Sequence, residues 1–115
     1  ALSHPKVKIL AHPTGRLLNR REGYEADWPK IFSFCRENNK ILEINCAPER
    51  LDLPDYLVRE AVKNNIKLVI STDTHHWPQM EFMKYGLAVA RRGWAEKRNI
   101  INTLTLDKIK EILLN

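Results

Sequence analysis

Three short apolar runs at regular spacing limit the folds that this chain can adopt. The runs cover residues 7–11, 41–46 and 68–70. The polar residues His12, Asn45 and Asp73, which lie at or just beyond their ends, are 33 and 28 residues apart. Apolar strands that alternate with helical segments at this spacing are typical of right-handed βαβ crossovers. The sequence therefore predicts one α/β domain with a parallel sheet.

Helical segments with a shared pattern lie between the runs. Asp27 is the predicted N-cap of the first helix and Asp52 of the second, and each has a proline two residues later in the first turn. Paired asparagines end both helices. The apolar faces consist of Trp28, Ile31, Phe32 and Cys35 in the first helix and Leu57, Val58, Ala61 and Val62 in the second.

Two further helices are predicted in the second half of the chain. One follows Pro78 and the other is capped by Thr105, with Leu106, Ile109 and Leu113 as its apolar residues. Gly86 is expected to mark close packing against a neighbour. The predicted buried side of the earlier helix comprises Phe82, Met83, Gly86, Leu87 and Ala90.

Side chains of the kinds that bind divalent metals follow the first and third runs. Asp73 and His75 are two residues apart, so alternation along a strand directs both to one side. The same parity puts His12 and Asn45 on that side, at the carboxyl edge of the sheet where α/β proteins place their chemistry. His12, Asp73 and His75 are the predicted catalytic residues and metal ligands.

Parity also divides the residues of each strand between two faces. Leu10 is expected on the face of His12, and Ile9 on the apolar face that packs against the helices with Leu42 and Ile44. Glu43 has two interpretations, as a buried base or ligand and as a partner of Lys8 inside the sheet.

Simpler interpretations exist for each candidate ligand. Asp73 is also suited to cap a helix, His75 to lie on the surface and His12 to lie in the core. The case for a site rests on the three occurring together.

Basic residues exceed acidic ones, with 19 Lys and Arg against 14 Asp and Glu and a net charge of +5. They cluster at residues 16–21 and 91–98, which favours an anionic partner such as nucleic acid or a phosphate ester, although a solvated basic face is the alternative. Arg16, Arg91 and Arg92 are the predicted phosphate-binding residues.

No apolar run is long enough to cross a bilayer, and residues 1–5 lack the features of a signal peptide, so a cytoplasmic location without membrane contact is expected. Cys35 and Cys46 show no pairing pattern and are predicted to be reduced, buried thiols.

A sheet of three strands leaves open edges. We therefore expect the chain to be the latter part of a larger protein, or to pair with itself through an edge strand.

Several motifs resemble one family. They are His12-Pro13-Thr14-Gly15-Arg16-Leu17, residues 20–24, Glu43-Ile44-Asn45, Thr72-Asp73-Thr74-His75 and residues 85–94. The sequence resembles the end of the polymerase and histidinol phosphatase (PHP) domain, in the form attached to bacterial and archaeal family X DNA polymerases. The resemblance covers nearly the whole chain, so residues 1–115 are expected to be the C-terminal portion of such a domain.

This resemblance implies the last three βα units and the C-terminal helix of a TIM-like (β/α)7 barrel. It implies up to three Zn²⁺ or Mn²⁺ ions in the complete domain, with His12, Asp73 and His75 matching the late ligands. The early ligands of the family have no counterpart here, so the chain alone is expected to bind metal poorly.

Three functions follow as hypotheses. The first is a metal-dependent 3′-5′ exonuclease that acts on the 3′ end of DNA in repair, as part of a DNA polymerase. The second is a free-standing phosphatase for a small phosphate ester. The third is a non-catalytic module that binds DNA or supports a polymerase.

Overall fold

The computed structural model describes every residue of the chain, 1–115. Its strands are β1 Ile9–Leu10, β2 Ile41–Asn45 and β3 Leu68–Ser71. Its helices are α1 Trp28–Glu37, α2 Asp55–Lys63, α3 Met83–Arg92 and α4 Leu106–Leu114. Short 3₁₀ turns cover Trp77–Phe82, Lys97–Asn99 and Ile101–Thr103.

The three strands form one parallel sheet in the order of the sequence. Leu42 in the central strand lies opposite Leu10 on one side and Leu68 on the other. All five residues of β2 are buried, as expected for the middle strand of a parallel sheet. The predicted α/β fold with a parallel sheet is confirmed.

The hydrophobic core lies on one face of the sheet. Leu42, Ile44, Leu68 and Ile70 pack there against α1, α2 and α3. The helices contribute Phe32, Cys35, Leu57, Val58, Ala61 and Ala90.

The face predicted for the first strand is wrong. Leu10 pairs with Leu42 and packs against the core, whereas Ile9 lies beside Ile41 on the opposite face. Alternation fixes which residues share a face but not which face meets the helices. Register against β2 makes that choice.

The two predicted aspartate caps have different outcomes. Asp27 caps α1, since its Oδ1 accepts a hydrogen bond from the Lys30 N–H at 3.1 Å. Asp52 does not cap α2, which begins at Asp55 with Pro54 at its N-cap. Asp52 is instead fully buried, and its carboxylate binds the loop that follows β1.

The predicted helices of the second half are present. Gly86 and Ala90 are buried in α3, but Leu87 is exposed, contrary to the predicted buried side. Thr105 caps α4 by accepting a hydrogen bond from the Lys108 N–H at 3.4 Å. No residue of α4 is buried.

The outer edge of β3 is covered within the chain. The Asn102 side chain accepts from the Ile70 N–H at 2.8 Å and donates to the Ile70 carbonyl at 2.9 Å. Leu68 forms a further parallel bridge with Ile100. The expected edge-strand dimer would therefore have to form at β1.

None of the helices has the length and apolar character needed to cross a bilayer.

Cys35 and Cys46 are free and buried, as predicted. Burial raises the pKa of both thiols to about 11. Only the thiolate is an efficient nucleophile. The reactivity of both cysteines toward alkylating agents is therefore lowered by their burial and also by their protonation.

We expect iodoacetamide at pH 8 to modify neither cysteine in the native chain and both in urea, as read by mass spectrometry. Because the folded pKa is raised, the unfolded chain releases these protons first. The contribution of these two thiols to the free energy of unfolding is therefore fully present below pH 9, and it is lost as the pH rises toward 11. Rapid alkylation of the native chain would contradict the described burial.

Gly86 lets α3 approach the sheet closely. A Cβ at this position would clash with Cys46 Sγ and with the Ile70 side chain. Alanine is favoured over glycine inside a helix by about 1 kcal/mol, so a glycine here must be required by packing.

We expect Gly86→Ala to lower the free energy of unfolding by about 1 to 3 kcal/mol in chemical denaturation, because the core has no space for the methyl group. The control is Ala88→Ser at an exposed position of the same helix, which should change it by less than about 0.5 kcal/mol. A stabilised Gly86→Ala variant would show that the contact is not tight.

Candidate functional site at the carboxyl end of the sheet

Asn45 ends the central strand and joins three loops. Its backbone exchanges two hydrogen bonds with Asp52, at 2.5 and 3.1 Å. Its side-chain oxygen accepts from the Ala47 N–H at 3.0 Å, and its Nδ2 donates to Asp73 Oδ2 at 3.2 Å. Asn45 is 1% exposed, so its own polar atoms lie away from water, where an unmet polar group is costly.

Asp52 holds the loop that follows β1. Its carboxylate accepts hydrogen bonds from the backbone N–H groups of Thr14, at 3.1 Å, and Gly15, at 2.9 Å. The loops after β1 and β2 are therefore fixed to each other through a fully buried acid.

Glu43 lies on the same face of β2 as Asn45 and is almost fully buried. Its Oε2 accepts a hydrogen bond from the backbone N–H of His12 at 2.7 Å. No ion pair joins Glu43 to Lys8, so that alternative is wrong. Glu43 positions the backbone of His12, whose side chain is exposed.

Asp73 and His75 lie together in the turn after β3. His75 Nδ1 is 2.7 Å from the Asp73 carbonyl oxygen and 3.9 Å from Oδ1. Because β3 ends at Ser71 and Asp73 has a φ of 55°, strand alternation does not extend to this pair. The turn brings the two residues together. The sequence prediction that strand alternation does so is wrong.

His12 and Asp73 both have left-handed backbone conformations, with φ of 31° and 55°. Such conformations cost L-residues about 1 to 2 kcal/mol and concentrate at functional sites. Glu43 binds the backbone of His12, and Asn45 binds the carboxylate of Asp73. The two strained residues are thus each held by a buried side chain of β2.

The donor atoms here suit a divalent metal in kind but not in number. Asp73 and His75 offer an accessible carboxylate and imidazole. No group of three or more His, Cys, Asp or Glu side chains lies close enough together to hold a metal ion. The imidazole of His12 shares the edge of the sheet with Asp73 and His75 but forms no hydrogen bond with either.

Arg16 is engaged with the backbone of the loop after β2. Its Nε donates to the Arg50 carbonyl at 2.9 Å, and its Nη2 donates to the Leu51 carbonyl. Two of its three guanidinium nitrogens are thus used to hold this loop in place.

Arg91 and Arg92 lie at the end of α3, and neither forms an ion pair with Asp73 or His75. Arg92 Nε donates to Asp55 Oδ2 at 2.9 Å, and this bond lowers the pKa of the Asp55 carboxyl. The structure does not bring either arginine to the site residues.

Arg50 is the guanidinium nearest to the site, and the sequence prediction missed it. Its Nε is 3.7 Å from Asp73 Oδ2, and its Nη1 is buried without a hydrogen-bond partner. The signal in the sequence is slight, a basic residue in the loop after β2. The role of Asp52 in holding the loop after β1 was also missed. Its position two residues before Pro54 is typical of a helix N-cap, so the sequence predicted that role for it.

No protein-family model matches the sequence. Over 113 residues, 98% of this chain, the sequence is 41% identical to the protein of Bacillus subtilis (strain 168) named DNA polymerase/3'-5' exonuclease PolX. The matched part is the C-terminal segment of that relative. It spans 20% of the length of that relative. The predicted relation to family X polymerases is therefore confirmed for this segment.

We expect Asp52→Asn to lower the free energy of unfolding by about 1 to 3 kcal/mol, because the new amide N–H₂ would face the N–H donors of Thr14 and Gly15. Trypsin should then cleave after Arg20 or Arg21 faster than in the parent chain. Asp107→Asn, an exposed change in α4, is the matched control. Equal cleavage rates in the two variants would contradict a role for Asp52 in holding the loop.

Proposed function

We propose that this chain forms part of the 3′-5′ exonuclease centre of a family X DNA polymerase. One observation carries the proposal: Asp73 and His75 lie together, accessible, at the carboxyl end of a parallel sheet. The name of the Bacillus subtilis relative, a DNA polymerase/3'-5' exonuclease, supports the same activity.

The proposed architecture is a PHP-type barrel of βα units, to which this chain contributes the last three and a C-terminal helix. Three parallel strands in sequence order, with helices on one face, are compatible with a barrel segment. Glu43 and Asn45 would then point toward the barrel interior.

His12, Asp73 and His75 are proposed to supply ligands to a Zn²⁺ or Mn²⁺ centre. Their donor types fit such ions, and further ligands from outside this chain would be needed because no three side chains converge here. A bound divalent metal would supply Lewis acidity and a water of lowered pKa. Glu43 holds the backbone of His12 in position, and Asn45 holds the carboxylate of Asp73.

Phosphate binding beside Asp73 is proposed for Arg50. Arg91 and Arg92 form no ion pair with Asp73, and Arg16 holds the loop after β2, so their predicted phosphate contacts would lie outside the Asp73 turn. Arg50 Nε lies 3.7 Å from Asp73 Oδ2, and the Arg50 side chain is 20% exposed. A guanidinium binds phosphate oxygens through paired N–H groups. The proposed substrate is the 3′ end of DNA, and a small phosphate ester would meet the same guanidinium.

A non-catalytic module is the second candidate, since no three metal-binding side chains meet within this chain. A complete site in the full-length polymerase would decide against it.

In the full-length polymerase, we expect Asp73→Asn to reduce exonuclease activity at least about 100-fold, because the amide removes a charged ligand. Polymerisation should stay near normal. The metal content of the purified variant should fall by at least one ion relative to the parent, and Asp107→Asn should leave both readouts unchanged. Retained exonuclease activity in Asp73→Asn would refute the assignment.

A further inference from the structure

A groove separate from the Asp73 turn lies along the loop after β1. It has a volume of about 670 Å³ and is open to solvent. The loop 14–24 forms one part of its lining, and Trp28, Pro54 and Tyr56 form the rest.

The charge of this groove is strongly basic. Arg16, Arg20 and Arg21 line it, against one acid, Glu22. Arg20 is exposed and its side chain forms no hydrogen bond or ion pair, and Arg21 uses only its Nε, which donates to the Gly15 carbonyl at 3.0 Å. Guanidinium groups are therefore free to bind an anion.

Two tyrosines add exposed aromatic surface to the same groove. Tyr24 is 70% exposed and Tyr56 is 63% exposed. The Tyr24 ring lies against Gly15, which has a φ of 68°, and a Cβ at that glycine would clash with the ring. An aromatic ring that contacts the loop backbone on one side and is open to solvent is suited to stack on a base.

The groove is fixed relative to the candidate site through buried polar contacts. Thr14 and Gly15 bind the Asp52 carboxylate, and the Asp52 backbone pairs with Asn45. Asn45 in turn binds Asp73. The groove therefore belongs to the same carboxyl edge of the sheet.

We propose that this groove binds single-stranded DNA, with phosphates on Arg20 and Arg21 and bases stacked on Tyr24 and Tyr56. The inference rests on the proposed function for its biological substrate, and it deepens that proposal by assigning the path of the strand. Free guanidiniums beside open aromatic rings favour a nucleic-acid strand over an acidic peptide, which would use the charges and leave the rings uncovered.

The first test maps the contact without using catalysis. A short oligodeoxynucleotide that carries 5-iodouracil is crosslinked by ultraviolet light to the full-length polymerase in EDTA, and the modified residue is identified by mass spectrometry. Crosslinks at Tyr24 or Tyr56 support the proposal. Crosslinks confined to other parts of the protein overturn it.

The second test measures the strength of the contact. In the full-length polymerase, Arg20→Ala with Arg21→Ala should raise the KM of exonuclease action on single-stranded DNA about tenfold, with little change in kcat. It should also reduce the slope of log KM against log salt by about 1.4, as expected for two phosphate contacts with a single strand. Tyr56→Leu should raise KM about fivefold or more through loss of stacking.

The matched control is Lys108→Ala with Lys110→Ala, which removes two exposed charges from α4. Equal KM values and salt slopes for the groove variant and the control would overturn the proposal. The proposal would also be overturned if polyglutamate protected the groove from crosslinking as well as unlabelled oligonucleotide does. The crosslink reports on the groove even if Asp73→Asn remains active, so failure of the proposed function is distinguishable from failure of this inference.

Discussion

The buried pairing of Asn45 with Asp52 is the contact on which the carboxyl end of this sheet depends. The two backbones exchange hydrogen bonds, and each side chain then reaches a different loop. Both residues are at most 1% exposed, so a lost bond would leave a polar group without water. Three loops are thereby held in one arrangement by groups that cannot easily exchange partners.

This arrangement separates the acids that hold the structure from the acid available for chemistry. Asp52 and Glu43 are buried and bind backbone N–H groups of the loop after β1. Asp73 is accessible: its Oδ2 meets Asn45 and Arg50, and its Oδ1 is free of the Asn45 bond and lies near His75. Buried acids are costly unless their hydrogen bonds are complete, so the accessible acid is the one suited to bind a ligand.

Sequence patterns predicted well what depends on local interactions. Asp27 caps α1 because the bond that defines a cap spans only three residues. The close approach at Gly86 was also predicted, since a helix-disfavoured glycine needs a packing reason. Asp52 carries the same local signal as Asp27, yet it binds Thr14 and Gly15, 38 and 37 residues away.

The sequence by itself determined the parallel α/β fold, the helices, the buried thiols and the placement of His12, Asp73 and His75 at strand ends, because these follow from periodicity and chain spacing. Only the tertiary structure decided which face of β1 meets the helices, how the turn after β3 joins Asp73 to His75, and that Arg50 lies nearest to Asp73. Those outcomes depend on register and on contacts between residues distant in the chain, which no local pattern encodes.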